Sequence, residues 1–218
     1  MQKRKKAKLF SLRYFPMDFA RVQLLALPLF YPVRRLTQEG KKYRNKIKGG
    51  ALVAANHYGF SDPLVLFITF WYRRVFFLAA NVVMRPPIRR ALLKGIGAIE
   101  INREIADMQA IRTTVDKLKQ GHLVGVFPQG RLTKTSEVTA IKSGVVLMAL
   151  QADVPIYPMH IYPAGKWYQG RTVVIGEPVY PSRLCQKKFP STADIQKISD
   201  ILMEEMNKCN INLKEEAK

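Results

Sequence analysis

The chain has 218 residues, 48% of them hydrophobic, so it can bury one sizeable core and does not require a second domain. Its 36 Lys and Arg residues outnumber its 16 Asp and Glu residues and give a net charge of +20, which predicts an anionic partner. Two cysteines, Cys185 and Cys209, are too few for a disulfide framework and lack metal-ligand spacing, which argues against a disulfide-stapled domain and a cysteine metal centre.

The amino-terminal segment 1–48 is strongly basic and contains an apolar stretch. Residues 1–50 carry fourteen basic side chains against two acidic ones. Within them, residues 22–33 read VQLLALPLFYPV and are flanked by arginines on both sides. Bulky apolar residues bordered by cations suit the interface between lipid headgroups and acyl chains. We therefore expect segment 1–48 to be an amphipathic element that binds an anionic membrane surface.

Charges and prolines limit how this segment can meet a membrane. A conventional spanning helix needs roughly 20 apolar residues, and the stretch is interrupted by Arg13, Asp18, Arg21, Pro28 and Pro32. The same interruptions argue against a secretory signal, so we expect monotopic or peripheral attachment at the cytoplasmic face. Two alternatives stay open: the leucines cover a soluble core, or the charge binds nucleic acid. We expect no nucleic acid, because no binding motif is recognisable and the apolar stretch would have no role.

Residues 52–63 read LVAANHYGFSDP and place an Asp five positions after an Asn-His pair. The apolar run 52–55 predicts a buried strand that leaves Asn56 and His57 at its carboxyl end, where open α/β sheets bind ligands. A short turn can then bring the Asp62 carboxylate back to the His57 ring. A carboxylate on one imidazole nitrogen fixes the tautomer, so that the other nitrogen can take a proton from a hydroxyl. The pattern therefore predicts a general base whose attacking hydroxyl belongs to the substrate.

A purely structural interpretation of these residues remains open at this point. Asp62 directly precedes Pro63, and Asp at an N-cap followed by Pro at the first helical position is an ordinary helix start. His57 by itself could be a hydrogen-bonded histidine at the end of a strand.

The rest of the chain alternates strands with helices. Residues 38–50, rich in Lys and Gly, read as a linker, and residues 63–72 are apolar almost all round and are expected to be buried or to touch lipid. The patterns predict strands over residues 75–80, 98–101, 123–127, 155–161 and 172–175. They predict helices over residues 86–95, 104–119, 143–152 and 191–208, the last with a capping box of Ser191 and Asp194. This alternation predicts an α/β fold with a mixed, mostly parallel sheet flanked by helices.

Basic side chains gather at two of the predicted turns. Arg103 lies at the amino end of the predicted helix 104–119, where the helix dipole and free amides would add to its charge in holding a phosphate. The alternative is an ordinary surface arginine. Strand 123–127 is followed by a turn that contains Gln129 and Gly130. Three cations come soon after this turn, Arg131, Lys134 and Lys142. A strand, a glycine turn and a basic cluster together suit an anionic headgroup.

Four motifs in this order resemble those of the glycerolipid acyltransferases, the family typified by 1-acylglycerol-3-phosphate acyltransferase. Asn56, His57 and Asp62 match its first motif, Asn-His-x4-Asp. Residues 97–103, GAIEINR, look like the second motif, and residues 154–158, VPIYP, look like the fourth. The third motif, Phe-Pro-Glu-Gly, is similar to Phe127-Pro128-Gln129-Gly130-Arg131, with Gln129 in place of the family's Glu.

The resemblance implies the glycerolipid acyltransferase fold over residues 49–218, with a helical membrane-binding element in segment 1–48. It also implies an O-acyltransferase that moves a fatty acyl group from acyl-CoA or acyl carrier protein to the free sn-2 hydroxyl of lysophosphatidic acid, making phosphatidic acid in phospholipid biosynthesis. His57 would be the general base and Asp62 its orienting partner, while the substrate would be bound by Asn56, Arg103, Gln129, Gly130, Arg131 and Lys142. No metal or bound cofactor is implied. Gln129 leaves two alternatives open, a different lysophospholipid acceptor and a non-catalytic membrane-binding relative.

Overall fold

The computed structural model describes residues 33–36, 38–59, 61–133, 137–162, 171–187 and 189–216. Side chains are described from residue 42 to residue 210 within those ranges. The predicted membrane-binding stretch 22–33 lies outside the described residues except for the backbone of Val33, and Lys134 of the predicted basic cluster lies outside them as well. No helix in the described ranges is long and apolar enough to cross a membrane.

The described chain forms one seven-stranded sheet in the order β1-β7-β6-β2-β5-β3-β4. In chain order the strands are β1 (Val33–Leu36), β2 (Ala51–Ala55), β3 (Val75–Ala80), β4 (Ala98–Ile101), β5 (Leu123–Val126), β6 (Ile156–Tyr162) and β7 (Arg171–Ile175). Neighbouring strands are parallel except β6 and β7, which are antiparallel. The prediction of a mixed, mostly parallel sheet flanked by helices is confirmed.

Helices connect and cover the strands. They are α1 (Gln38–Lys46), α2 (Asp62–Thr69), α3 (Asn81–Met84), α4 (Pro87–Gly95), α5 (Met108–Lys119), α6 (Ser143–Ala152), α7 (Pro181–Leu184) and α8 (Thr192–Glu216). Every residue of β2 and of β5 is buried, as expected for central parallel strands that are covered on both faces. The apolar sequences ALVAA and LVGV therefore form the centre of the core, and their carboxyl ends meet at one edge of the sheet.

The predicted capping box at the start of α8 is confirmed. The Asp194 amide donates to the Ser191 hydroxyl at 3.2 Å, and the Ser191 amide donates to the Asp194 carboxylate at 2.9 Å. The helix buries a face that includes Ile198, Leu202 and Met206. It continues to Glu216, eight residues beyond the predicted end.

The prediction of a linker over residues 38–50 is wrong, because residues 38–46 form helix α1, which contacts β7. Tyr43 packs against the core, and the hydroxyl of Tyr72 donates to the carbonyl oxygen of Arg44 at 2.9 Å. These tertiary contacts hold a helix whose Lys-rich sequence offers only a weak apolar pattern. The sheet itself already begins at Val33, inside the segment that the sequence assigns to membrane binding.

The predicted start of the helix 104–119 is also wrong, because α5 begins at Met108. Asp107 is its N-cap and accepts a hydrogen bond from the Ala110 amide at 2.9 Å. The other Asp107 oxygen accepts from the Asn102 amide at 2.9 Å, which folds the intervening residues into a turn. Arg103 therefore precedes the first helical residue by five positions, and the helix dipole adds little to its charge.

Candidate active site

Asn56 follows β2 and ties the end of this strand to β6. Its side-chain oxygen accepts a hydrogen bond from the Ile161 amide at 2.7 Å, and its side-chain nitrogen donates to the Ile161 carbonyl oxygen at 3.0 Å. The same nitrogen lies 3.4 Å from Nε2 of His160. Asn56 is buried, so both ends of its amide are used within the protein and fix the strand end from which His57 projects.

His57 and Asp62 are in direct contact, as the sequence predicts. Nδ1 of His57 lies 2.7 Å from Oδ2 of Asp62, and this oxygen also accepts the backbone amides of Tyr58 and Gly59 at 2.7 Å and 2.8 Å. Asp62 is the first residue of α2, yet within the described residues its carboxylate accepts no hydrogen bond from an amide of that helix. The carboxylate therefore orients the histidine ring and closes the loop, which the helix-start interpretation does not explain.

A cation from a distant strand, Arg171 of β7, also reaches Asp62. The Arg171 guanidinium donates to Oδ1 of Asp62 and, at 2.8 Å, to the hydroxyl of Ser61. Because β7 runs antiparallel to β6, its first residue, Arg171, lies at the edge where the parallel strands end. No sequence motif marks Arg171, which is 109 positions from Asp62.

The environment keeps the buried Asp62 ionised. Burial alone would raise the pKa of this carboxyl, since Asp62 has no exposed surface. The hydrogen bonds from His57 and the Gly59 amide, together with the Arg171 charge, outweigh burial and lower the pKa below its usual value. An ionised Asp62 accepts the Nδ1 proton of His57 and leaves Nε2 as the basic nitrogen.

The imidazole ring is also held from its other side. His57 stacks on Phe127, with ring centroids 4.1 Å apart and planes inclined by 19°, and its carbonyl oxygen accepts the Thr133 amide at 2.8 Å. Within the described residues no hydrogen bond occupies Nε2, and 19% of the side chain is exposed. The ring is therefore fixed in place with its basic nitrogen available to a substrate.

The loop that follows β5 gathers two of the predicted cations at Gly130. The guanidinium of Arg103 donates to the Gly130 carbonyl oxygen, and Nζ of Lys142 donates to the Arg103 carbonyl oxygen at 3.3 Å. Gly130 has φ of 67°, and a Cβ at this position would lie 2.9 Å from Cε of Lys142. The positive φ favours glycine at this turn, and a side chain here would make the end of Lys142 shift.

Arg131 and Gln129 flank this glycine. Arg131 is exposed, and within the described residues no side-chain partner is recorded for it. Within the described residues, the hydrogen bonds of the Gln129 side chain are long, 3.5 Å from its Nε2 to the Glu137 carbonyl oxygen and 3.4 Å from its Oε1 to the Thr133 hydroxyl. Because Thr133 also contacts the His57 backbone, the amide of Gln129 lies in the loop that borders the histidine.

The structure thus brings predicted residues into contact in two separate groups at one edge of the sheet. His57 and Asp62 form the first group, and Arg103, Gly130 and Lys142 form the second. The loop 127–133 links them, because it carries Gly130 and also contacts the ring and the backbone of His57. Within the described residues, no three His, Cys, Asp or Glu side chains come close enough together to hold a metal ion.

A family model and several relatives match this chain. Residues 35–162 match the family model described as Acyltransferase. The chain is 28% identical over 140 residues to the 1-acyl-sn-glycerol-3-phosphate acyltransferase of Bacillus subtilis (strain 168), which covers 60% of this chain and 67% of that protein. It is 27% identical over 127 residues to the protein of the same name from Borreliella burgdorferi, which covers 56% of this chain and only about half, 49%, of that protein.

The fold has a match among solved structures. The crystal structure of the 1-acyl-sn-glycerophosphate (LPA) acyltransferase PlsC from Thermotoga maritima superposes with a TM-score of 0.60 and 20% sequence identity, over 93% of this chain and 84% of that one. At this identity the likeness shows a shared fold. Together with the family model, which matches more than half of the residues, it leads to one conclusion: this chain is an enzyme of the acyltransferase family.

Proposed function

We propose that this enzyme acylates the free sn-2 hydroxyl of lysophosphatidic acid with a fatty acyl group from a thioester, acyl-CoA or acyl carrier protein, and so makes phosphatidic acid. The observation that carries the proposal is the contact between His57 and an ionised Asp62 next to a loop lined with cations. The base can deprotonate the acceptor hydroxyl, and the cations can bind a phosphate monoester. The names of the Bacillus and Borreliella relatives support the same acceptor.

In the reaction, Nε2 of His57 removes the proton from the acceptor hydroxyl while the oxygen of that hydroxyl attacks the carbonyl carbon of the thioester. The carbon–sulfur bond then breaks, and the thiolate takes the proton from the imidazolium, so that the free base is restored. Asp62 stabilises the positive ring during the step and keeps Nδ1 protonated. Arg171 holds the second oxygen of Asp62 and thereby fixes the carboxylate that orients the ring.

The acceptor phosphate is assigned to the cations around Gly130. Arg103, Arg131 and Lys142 supply positive charge, and an arginine fork matches phosphate oxygens with two parallel hydrogen bonds. Gln129 can bond to acceptor oxygens through its amide. We assign Asn56 a positioning role, because its amide is already bonded to the backbone of Ile161.

The basic segment 1–48 is proposed to hold the enzyme on an anionic membrane, where its lipid substrate resides. Support comes from its composition, fourteen basic residues in the first fifty together with an apolar stretch. A second candidate function is acylation of a different lysophospholipid. It is favoured by Gln129, whose neutral amide stands where the family has a carboxylate.

Acyl transfer to lysophosphatidic acid by the purified full-length chain, followed by lipid mass spectrometry, tests the proposal. His57→Ala should lower kcat by about 10² to 10⁴-fold while circular dichroism stays unchanged, because Arg171 and the amides of Tyr58 and Gly59 still hold Asp62 and the loop. A folded His57→Ala variant that turns over at the wild-type rate would end the general-base assignment.

The acceptor headgroup is tested separately. Arg131→Gln should raise KM for lysophosphatidic acid, with a smaller effect on an acceptor whose phosphate is masked by choline. Lys119→Gln is the matched control, because Lys119 is an exposed cation at the far end of α5. Equal effects of Arg131→Gln on both acceptors would show that Arg131 does not bind the acceptor phosphate.

A further inference from the structure

Large apolar side chains are exposed on the two segments that follow β3 and β4. We call this group the apolar rim; its members, with their exposed fractions, are Val82 (55%), Ile88 (76%), Leu92 (66%), Ile105 (66%) and Met108 (50%). Five such residues within 27 positions exceed the isolated exposed apolar side chains that a soluble surface normally carries. The rim is therefore the candidate contact surface of the described residues outside the active site.

Helix α4 presents part of the rim on its outer side. None of its nine residues is buried, in contrast to α2, α5 and α6. Its inner side is held by Leu93, which packs against the core, and by Arg90, whose guanidinium bonds to the Glu100 carboxylate of β4 at 3.0 Å and 2.6 Å. Ile88 and Leu92 are one helical turn apart and point away from that attachment.

The charge beside the rim is of one sign on the segment that follows β3, whereas the segment that follows β4 carries Glu104 and Asp107 next to Ile105 and Met108. Residues 81–95 contain four basic side chains and no acidic one. Two of the four, Arg90 and Lys94, lie near Glu100. The other two, Arg85 and Arg89, are exposed and have no recorded partner within the described residues. Apolar side chains next to unpaired arginines complement a surface of acyl chains and anionic headgroups.

The two segments that carry the rim leave the sheet at the same edge as the candidate active site. β3 and β4 are parallel neighbours, so the segments that follow Ala80 and Ile101 leave from one edge. Ile105 and Met108 come two and five positions after Arg103, a proposed ligand of the acceptor phosphate. A membrane that covers the rim would therefore lie next to the place where a lipid headgroup is proposed to bind.

We propose that the apolar rim, together with Arg85 and Arg89, is a lipid-contact surface that seats this enzyme on an anionic bilayer independently of segment 1–48. The inference rests on the proposed function, since a lipid acceptor is what places the membrane at this edge. The apolar side chains enter the boundary between headgroups and acyl chains, and the two arginines bind lipid phosphates.

The first test measures local insertion in the full-length protein. Ile88→Cys and Leu92→Cys are labelled with an environment-sensitive dye and mixed with vesicles of phosphatidylglycerol and phosphatidylcholine. Leu184→Cys is the matched control, because Leu184 is 51% exposed, adjoins Arg183 and follows the antiparallel strand β7. Labelled wild-type protein gives the background, because Cys185 and Cys209 are both buried.

We expect the dye emission to move to shorter wavelength at positions 88 and 92 on vesicle binding, and not at position 184. Vesicle-bound protein without that shift at either rim position would overturn the proposal. This readout does not depend on turnover. A shift without acyl transfer to any lysolipid would therefore refute the proposed function and leave the surface standing.

The second test removes the contacts by changes at exposed positions that leave the fold intact. Arg85→Gln and Arg89→Gln should each weaken vesicle binding about fivefold at low ionic strength, an effect that salt diminishes. Ile88→Asn with Leu92→Asn should weaken it about tenfold or more, with little dependence on salt. Unchanged vesicle affinity would overturn the proposal. If transfer from acyl carrier protein then slowed while transfer from acyl-CoA did not, the surface would belong to an acidic carrier protein.

Discussion

The exchange Asp62→Asn separates the structural use of this carboxylate from its chemical use. Asp62 is fully buried, and its two oxygens receive His57, two backbone amides and the Arg171 guanidinium. An amide of the same size can keep its oxygen on the two backbone donors. Its NH₂ group then faces the Arg171 guanidinium, so two hydrogen-bond donors meet. The arginine has also lost its anionic partner.

The loss of stability follows from that unmatched cation. Removing one partner of a buried ion pair costs about 3 to 5 kcal/mol. We expect the lower end of this range, because 19% of the Arg171 side chain is exposed and water can reach it. Asp62→Asn together with Arg171→Met removes both charges, and it should regain about 1 to 2 kcal/mol of the unfolding free energy through the coupling between the two sites.

Catalysis should not recover with stability. The double variant still lacks the anion that stabilises the imidazolium of His57, so kcat should remain about 10² to 10⁴-fold below the wild type. Urea unfolding and acyl-transfer kinetics on the same four proteins, wild type, both single variants and the double variant, complete the cycle. If kcat returned together with stability, Asp62 would act only by holding the loop, and the mechanism would be wrong.

Three further predictions concern other parts of the chain. Gln129→Glu should keep or raise activity on lysophosphatidic acid; a wild type inactive on every lysolipid and revived by this change would identify a degenerate relative. Deleting residues 1–32, which spares β1, should weaken sedimentation with anionic liposomes, and equal sedimentation would argue against the membrane role of segment 1–48. Burial lowers the pKa of His160 to about 4, whereas an unfolded histidine titrates near 6.5. Between these values the unfolded chain binds more protons, so the unfolding free energy should fall by about 2 kcal/mol from pH 7 to pH 5. His160→Gln should remove that loss in urea titrations, and an unchanged slope would assign it to another group.

Local patterns were enough to predict much of the fold. The strands at 75–80 and 98–101 and the helix at 143–152 have the predicted bounds. Each is a short apolar or periodic run ended by turn residues, so neighbouring residues mark where the element begins and ends. The errors at α1 and at the start of α5 come from features that periodicity does not report: contacts with β7 in the first case and the Asp107 cap in the second.

Sequence alone also predicted the contact between His57 and Asp62, because their spacing fits one short turn and the contact needs no distant part of the chain. Only the tertiary structure decided what surrounds that pair. Arg171 reaches Asp62 because β7 runs antiparallel and so begins where β2 ends, and Phe127 reaches His57 because β2 and β5 are neighbours in the sheet. Strand order and direction arise from the packing of the whole core, and no residue near either end of such a contact encodes them.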